Sequence, residues 1–156
     1  MERRRKKEKT PPPVYDRAVT LAARRLRSAA DLRKKLIGEG YDEAEVDAAL
    51  RRLAEVHLID DNLMAHSISR RYADRGNRFI VLKMKEKGVA AEKSVIEGLA
   101  DEYERALAAG QKKLRSLGKF EPSVQGQKLY QHLVLRGFGG SVVQKVVREL
   151  TRLDED

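Results

Sequence analysis

Few side chains in this chain could do chemistry, and their spacing argues against catalysis. The three histidines, His57, His66 and His132, are far apart in sequence and make no H-E-x-x-H or similar helical pair that would hold a metal. With no cysteine there is neither a thiolate zinc site nor a disulfide. Asp60 and Asp61 form a carboxylate pair, but they stand just before an apolar stripe that begins near Asn62 and read as a helix cap. Gly137, Phe138, Gly139 and Gly140 lack the preceding strand and following lysine of a phosphate loop. No nucleophile with its base and no carboxylate pair in an apolar cleft is visible. The chain therefore reads as a non-enzyme that uses no cofactor and no metal.

Charge is what remains. Thirty-three Lys and Arg against 24 Asp and Glu give a net charge of +9 over 156 residues, which suits an anionic partner such as nucleic acid, an acidic protein face or a membrane surface. Basic doublets recur: Arg24 and Arg25, Arg70 and Arg71, Lys112 and Lys113, each one residue before an apolar position, Leu26, Tyr72 or Leu114. Each doublet is expected at the end of a helix. In regularly stacked repeats the six charges would form a stripe that contacts a partner; alternatively they answer the helix dipole and the orphan carbonyls of the last turn. Arg33, Lys34 and Lys35, and Lys83, Lys85 and Lys87, either extend that stripe or are solvated helix faces.

Sequence-specific DNA readout would put the start of a recognition helix in the major groove. The candidate third helices begin with Asp42, Glu43, Glu45 and Asp47, with Ala91, Glu92 and Lys93, and with Gly140, Ser141 and Val142, none suited to bases. Single-strand binders stack bases on aromatics, yet only 5% of residues are aromatic, and Tyr41 and Phe138 share one repeat position that reads as core. Nonspecific charge or a protein partner is left.

The elements that carry these charges are set by one cassette that occurs three times. Leu32, Leu36, Gly40, Tyr41; Ile80, Met84, Gly88, Val89; and Leu129, Leu133, Gly137, Phe138 each place two apolar residues four apart, a glycine four later and a bulky apolar residue after it. The glycines lie 48 and 49 residues apart, a period typical of units that bury their apolar faces against one another. Ser28 with Asp31, and Asp42 with Glu45, are capping signatures that start a second and a third helix. Val46, Ala49, Leu50 and Leu53 make the apolar stripe of that third helix, and an offset of 97 lays Val143, Val147 and Leu150 on Val46, Leu50 and Leu53. The fold class is all-α: three tandem three-helix repeats, about nine helices and no strand, with Leu36, Leu50, Leu133 and Val147 buried.

The boundaries follow. Residues 1–13 form a basic, proline-ended disordered arm, either a tether for polyanions or a solubilising tail. Residues 14–60, 61–101 and 102–156 form the three repeats. No run of about 18 apolar residues can span a membrane, and Met1 to Lys9 lack the apolar stretch of a secretory signal, so a cytoplasmic protein with no membrane contact is expected.

The cassettes, together with Arg24 through Leu36, Leu58-Ile59-Asp60-Asp61, Lys87-Gly88-Val89 and Leu133 through Phe138, resemble the RecX family of bacterial recombination regulators from about Tyr15 to Leu150. The resemblance implies an elongated, curved right-handed array acting as a monomer. It also implies that the array lodges in the groove of the RecA filament on DNA and lowers RecA's ATP hydrolysis, strand exchange and coprotease activity, in DNA repair, recombination and SOS regulation. No catalytic residue is carried over. The alternative is a nonspecific DNA-binding protein that acts by competing for DNA. Two departures stand out. His57 stands where the family commonly has Gly, so a left-handed helix end there would be strained. In Phe79-Ile80-Val81-Leu82 the family usually mixes in charge, and Val81 and Leu82 either pack between repeats or meet a partner.

Overall fold

The computed structural model describes residues 10–152, and among them the backbone forms nine α-helices and no strand. These are α1 (Val14–Arg24), α2 (Ala29–Gly38), α3 (Glu43–Glu55), α4 (Asp61–Arg71), α5 (Asn77–Glu86), α6 (Lys93–Glu97), α7 (Glu102–Arg115), α8 (Pro122–Leu135) and α9 (Gly140–Arg152). The all-helical expectation holds. The helices fall into two compact units that meet between Asp60 and Asp61, so α1–α3 form the first and α4–α9 the second. The basic run Arg3 to Lys9 lies outside the described residues. At Pro12 the chain is already held, because its carbonyl accepts the Tyr41 hydroxyl at 2.8 Å.

The threefold cassette is a helix-ending device. In each copy the glycine takes a left-handed conformation, with φ of +97° at Gly40, +68° at Gly88 and +86° at Gly137. In the first copy the Tyr41 N–H donates to the Leu36 carbonyl (3.2 Å) and the Gly40 N–H to Ile37 (3.0 Å). The same pair of bonds recurs from Val89 to Met84 (2.9 Å) and Gly88 to Lys85 (3.0 Å), and from Phe138 to Leu133 (3.3 Å) and Gly137 to Val134 (2.9 Å). This is the Schellman pattern, in which orphan carbonyls of the last turn are met by amides beyond it. It also turns the chain so that the residue after glycine folds back on the helix. Leu36, Met84 and Leu133 are fully buried, and Phe138 and Val89 nearly so. Helix α3 ends the same way without glycine: Leu58 N–H reaches Leu53 (2.9 Å), His57 N–H reaches Ala54 (3.1 Å), and His57 carries a φ of +56°. An L side chain in that region is strained by about 1–2 kcal/mol.

The first unit packs Leu21 of α1, Leu32 and Leu36 of α2 and Val46 and Leu53 of α3 into one apolar cluster. Its caps follow the sequence signatures: Ser28 Oγ accepts the Asp31 N–H at 3.1 Å, and Asp42 accepts that of Glu45 at 3.2 Å. Arg17 on α1 grips Glu39 at the end of α2 with two bonds of 2.8 Å. That bond, helped by Lys35, holds the Glu39 carboxyl down to about 2.

The second unit contains two apolar clusters, one around Ile80 and Met84 and one around Leu133 and Val146. Val147, expected in the core, is only half-buried; α9 puts its bulk at Val146, the counterpart of Ala49, and leaves Val147 on the cluster's edge. Val81 and Leu82 are 38% and 51% exposed, so the core of this unit does not absorb them, whereas Phe79 packs edge-on against Tyr72 at 5.2 Å.

What joins α4–α6 to α7–α9 is backbone meeting backbone. The amides of Gly76 and Arg78, at the start of α5, donate to the carbonyls of Arg136 (2.9 Å) and Gly137 (3.2 Å), at the end of α8. Orphan donors of one helix start thus satisfy orphan acceptors of another helix end, with dipoles aligned favourably. A Cβ on Gly76 would sit 2.1 Å from the Gly137 carbonyl carbon, so no other residue fits there without displacement.

Three stability outcomes follow. Gly76→Ala should cost about 3 kcal/mol or more in urea unfolding, because rigid backbone is what the new methyl meets; an unchanged midpoint would remove the joint from the account. Leu133→Ala should cost about 2–5 kcal/mol. His57→Gly should raise stability by about 0.5–1 kcal/mol, the relief of left-handed strain less the added freedom of the unfolded chain.

Candidate basic cleft

The basic doublets do not occupy equivalent places. Each repeat's first helix begins after Pro13, Asp60 or Asp101 and buries an alanine, Ala18, Ala65 or Ala106, at its fifth residue. Counted from that start, Arg24, Arg71 and Lys112 share one position, while Arg25, Tyr72 and Lys113 share the next. The second doublet is therefore one residue out of step, about 100° around the helix. Local backbone differs too: Arg25 is extended beyond α1 (φ −161°, ψ 156°), Arg71 ends α4, and Lys112 and Lys113 lie within the last turns of α7.

Cations on the second helices are partly engaged. Arg33 binds Asp47 at 2.8 Å and also Glu43, tying α2 to α3. Lys35 pairs with Glu39 at 3.4 Å and Lys83 with Glu86 at 2.8 Å. Lys34, Lys85 and Lys87 are exposed, as are Arg24, Arg25, Arg70 and Arg71. Of the twelve residues singled out from the sequence, Lys112 and Lys113 line a concave site.

That site lies in the second unit, beside the joint. A cleft of about 560 Å³ is lined by Ala73 and Asp74 of the α4–α5 turn, by Arg105, Ala108, Ala109, Lys112, Lys113 and Ser116 from α7 and its end, and by His132 and Arg136 from α8 and its end. A second cleft of about 440 Å³ shares Lys113, Ser116 and His132 with it and adds Lys119, Phe120, Lys128 and Leu135. The two make one trough along α7 and α8, with alanines, Leu135 and Phe120 between its cations.

Several groups that position this trough were not singled out from the sequence. Arg105, only 9% exposed, donates to the Ala100 carbonyl at 2.8 Å, to the Arg75 carbonyl and to Asn77 Oδ1. Burial pulls its guanidinium below the usual value, against the attraction of Glu102 and Asp101. Glu102 Oε1 accepts the amides of Asn77 (2.9 Å) and Gly139 (3.3 Å), so one carboxylate serves the starts of α5 and α9. Arg136 holds the Asp74 side chain at 2.5 Å and its carbonyl at 3.2 Å. Its Nε is buried with no partner among the described residues.

The trough's field is positive, and His132 registers it. Burial lowers its pKa below the ordinary 6.5, and Arg136, Lys113 and Arg75 lower it further. Phe120 is flanked by Lys128 and Lys119, with ammonium groups 4.7 and 5.3 Å from the ring centre. Among the described residues, no group of three or more metal-ligating side chains is present, and no helix is long and apolar enough to cross a membrane.

Tandem three-helix groups with a basic cleft define a helical-repeat protein, and known proteins place it more closely. Residues 15–53 match the model of the first three-helix domain of RecX, and residues 100–147 that of the third. The regulatory protein RecX of Chlorobaculum tepidum is 33% identical over 140 residues, covering 86% of each chain. That of Clostridium botulinum (strain Eklund 17B) is 33% identical over 141 residues, 85% of this chain, which spans only 66% of that longer relative. The crystal structure of RecX from Lactobacillus salivarius superposes with a TM-score of 0.78 over 88% of this chain and 94% of its own, at 23% identity, which supports the fold. The chain belongs to the RecX family.

The depressed His132 gives a pH prediction. In the unfolded chain this ring takes its proton near pH 6.5, but the folded protein resists protonation until lower pH. The neutral ring's contribution to stability is thus present above about pH 6.5 and lost as pH falls through the folded midpoint. An NMR titration of His132 should place that midpoint below those of model histidines, and His132→Gln should flatten the fall in stability between pH 7 and 5. A midpoint at or above 6.5 would contradict the positive field.

Proposed function

We propose that this chain is a regulator of RecA that binds the RecA filament on DNA and lowers its ATP hydrolysis, strand exchange and coprotease activity. Family membership carries this reading, and the basic trough supports it by offering a fixed cationic surface to a polyanionic assembly. The protein acts without catalysis of its own, as a cytoplasmic monomer whose three-helix repeats, 14–60, 61–101 and 102–156, each contribute contacts. Several modest contacts on linked units act together through effective concentration. A second reading, competition for bare DNA, is favoured by the net charge of +9 alone.

Titrating the protein into a RecA ATPase assay on single-stranded DNA separates the two. Filament binding predicts inhibition well below one molecule per DNA site, whereas competition requires the DNA to be coated. Replacing Arg24, Arg25, Arg70, Arg71, Lys112 and Lys113 together by Gln should leave the fold intact, since the dipole terms lost are about 0.3–1 kcal/mol each. Loss of ATPase inhibition with bare-DNA binding retained supports a filament-contacting surface; equal loss of both supports competition.

A further inference from the structure

The joined clefts of the second unit have a chemistry that neither the doublet pattern nor the family assigns. We infer that this trough is a docking site for an acidic peptide segment of a protein partner, one in which carboxylates alternate with aliphatic side chains. The inference deepens the filament-binding reading and rests on it for the partner being a protein.

Three observations carry it. Cations line both clefts, Lys112 and Lys113 in the larger and Lys113, Lys119 and Lys128 in the smaller, so an extended anion fits better than a single phosphate. The only carboxylate among the lining residues is Asp74, already held at 2.5 Å by Arg136. The lining charge is therefore almost wholly positive, and Arg136, Lys113 and Arg75 add to the lowering that burial imposes on His132. The lining also carries apolar side chains, Ala73, Ala108 and Ala109 in the larger cleft and Leu117 and Leu135 in the smaller. A carboxylate seated against lysines in such a place gains more than it would on an open surface, because the apolar walls lower the local dielectric, and an aliphatic neighbour can cover the alanines. Nucleic acid fits less well. Base stacking wants exposed aromatic faces, yet of the two rings that line the trough Phe120 already has Lys119 and Lys128 against it, and His132 is half-buried.

The test uses the full chain and a short fluorescein-labelled peptide repeating Glu-Glu-Leu, read by anisotropy, with a Gln-Gln-Leu peptide and labelled oligo(dT) of similar length alongside. The acidic peptide should bind and the Gln-Gln-Leu peptide should not. Lys112→Gln/Lys113→Gln should weaken acidic-peptide binding at least tenfold, and binding should raise the His132 titration midpoint. Lys145→Gln/Arg148→Gln removes two exposed charges of α9 that do not line the trough, and it should leave affinity within about twofold; circular dichroism checks that both variants fold. Equal weakening by the two double variants would reduce the effect to general charge and overturn the site. Oligo(dT) that binds and loses affinity through Lys112 and Lys113, while the acidic peptide does not bind, would reassign the trough to nucleic acid and overturn the inference. Because no RecA is present, failure here leaves the ATPase result standing.

Discussion

Two glycines in backbone contact hold the second unit together. Gly76 and Gly137 approach so closely that the orphan amides opening α5 reach the orphan carbonyls closing α8. Several other helix ends are finished locally, by the side-chain caps at Ser28, Asp42 and Asp101 or by Schellman turns. Here two ends finish each other, and this merges two three-helix groups, each with its own apolar cluster, into one body. Glu102 and Arg105 reinforce the contact from α7: the carboxylate caps the starts of two helices, and the guanidinium fills the space beneath the α4–α5 turn with three acceptors.

The trough is a consequence of that joint. Its larger cleft is bounded on one side by Ala73 and Asp74 of the α4–α5 turn and on the other by α7 and α8. Fixing that turn against the end of α8 fixes the cleft's width. Burying Arg105 beside it also commits that residue's hydrogen bonds to structure, which leaves Lys112 and Lys113 as the cleft's cations without a carboxylate partner among the described residues. Some other charges are spent within the fold: Arg17 on Glu39 and Arg33 on Asp47 and Glu43 link the three helices of the first unit.

The parts legible in the sequence are those written within a few neighbouring residues. A Schellman turn is a bond pattern over six positions, so glycine plus apolar spacing was enough to mark the three copies as equivalent, and the capping signatures at Ser28 and Asp42 were equally local. The joint was not legible, because Gly76, Glu102, Arg105 and Arg136 are separated by tens of residues and each alone resembles ordinary loop or surface sequence. The same reason explains the doublets. Each reads as a pair before an apolar residue, but the true frame is the helix start and the buried alanine, which put the second doublet one residue out of step. His57 could be seen as a departure from glycine; that it nevertheless takes the left-handed turn depends on the two bonds that close α3.

Native-state hydrogen exchange on the amides of Gly76 and Arg78, compared with Leu133 and Val146 of the third repeat's core, tests the central claim most directly. If the joint makes α4–α9 one cooperative body, all four amides exchange through the same opening, with the same free energy and the same denaturant dependence. Exchange of Gly76 and Arg78 through a separate, low-energy opening while Leu133 and Val146 stay protected would show two independent groups, and the trough between them would have no fixed form.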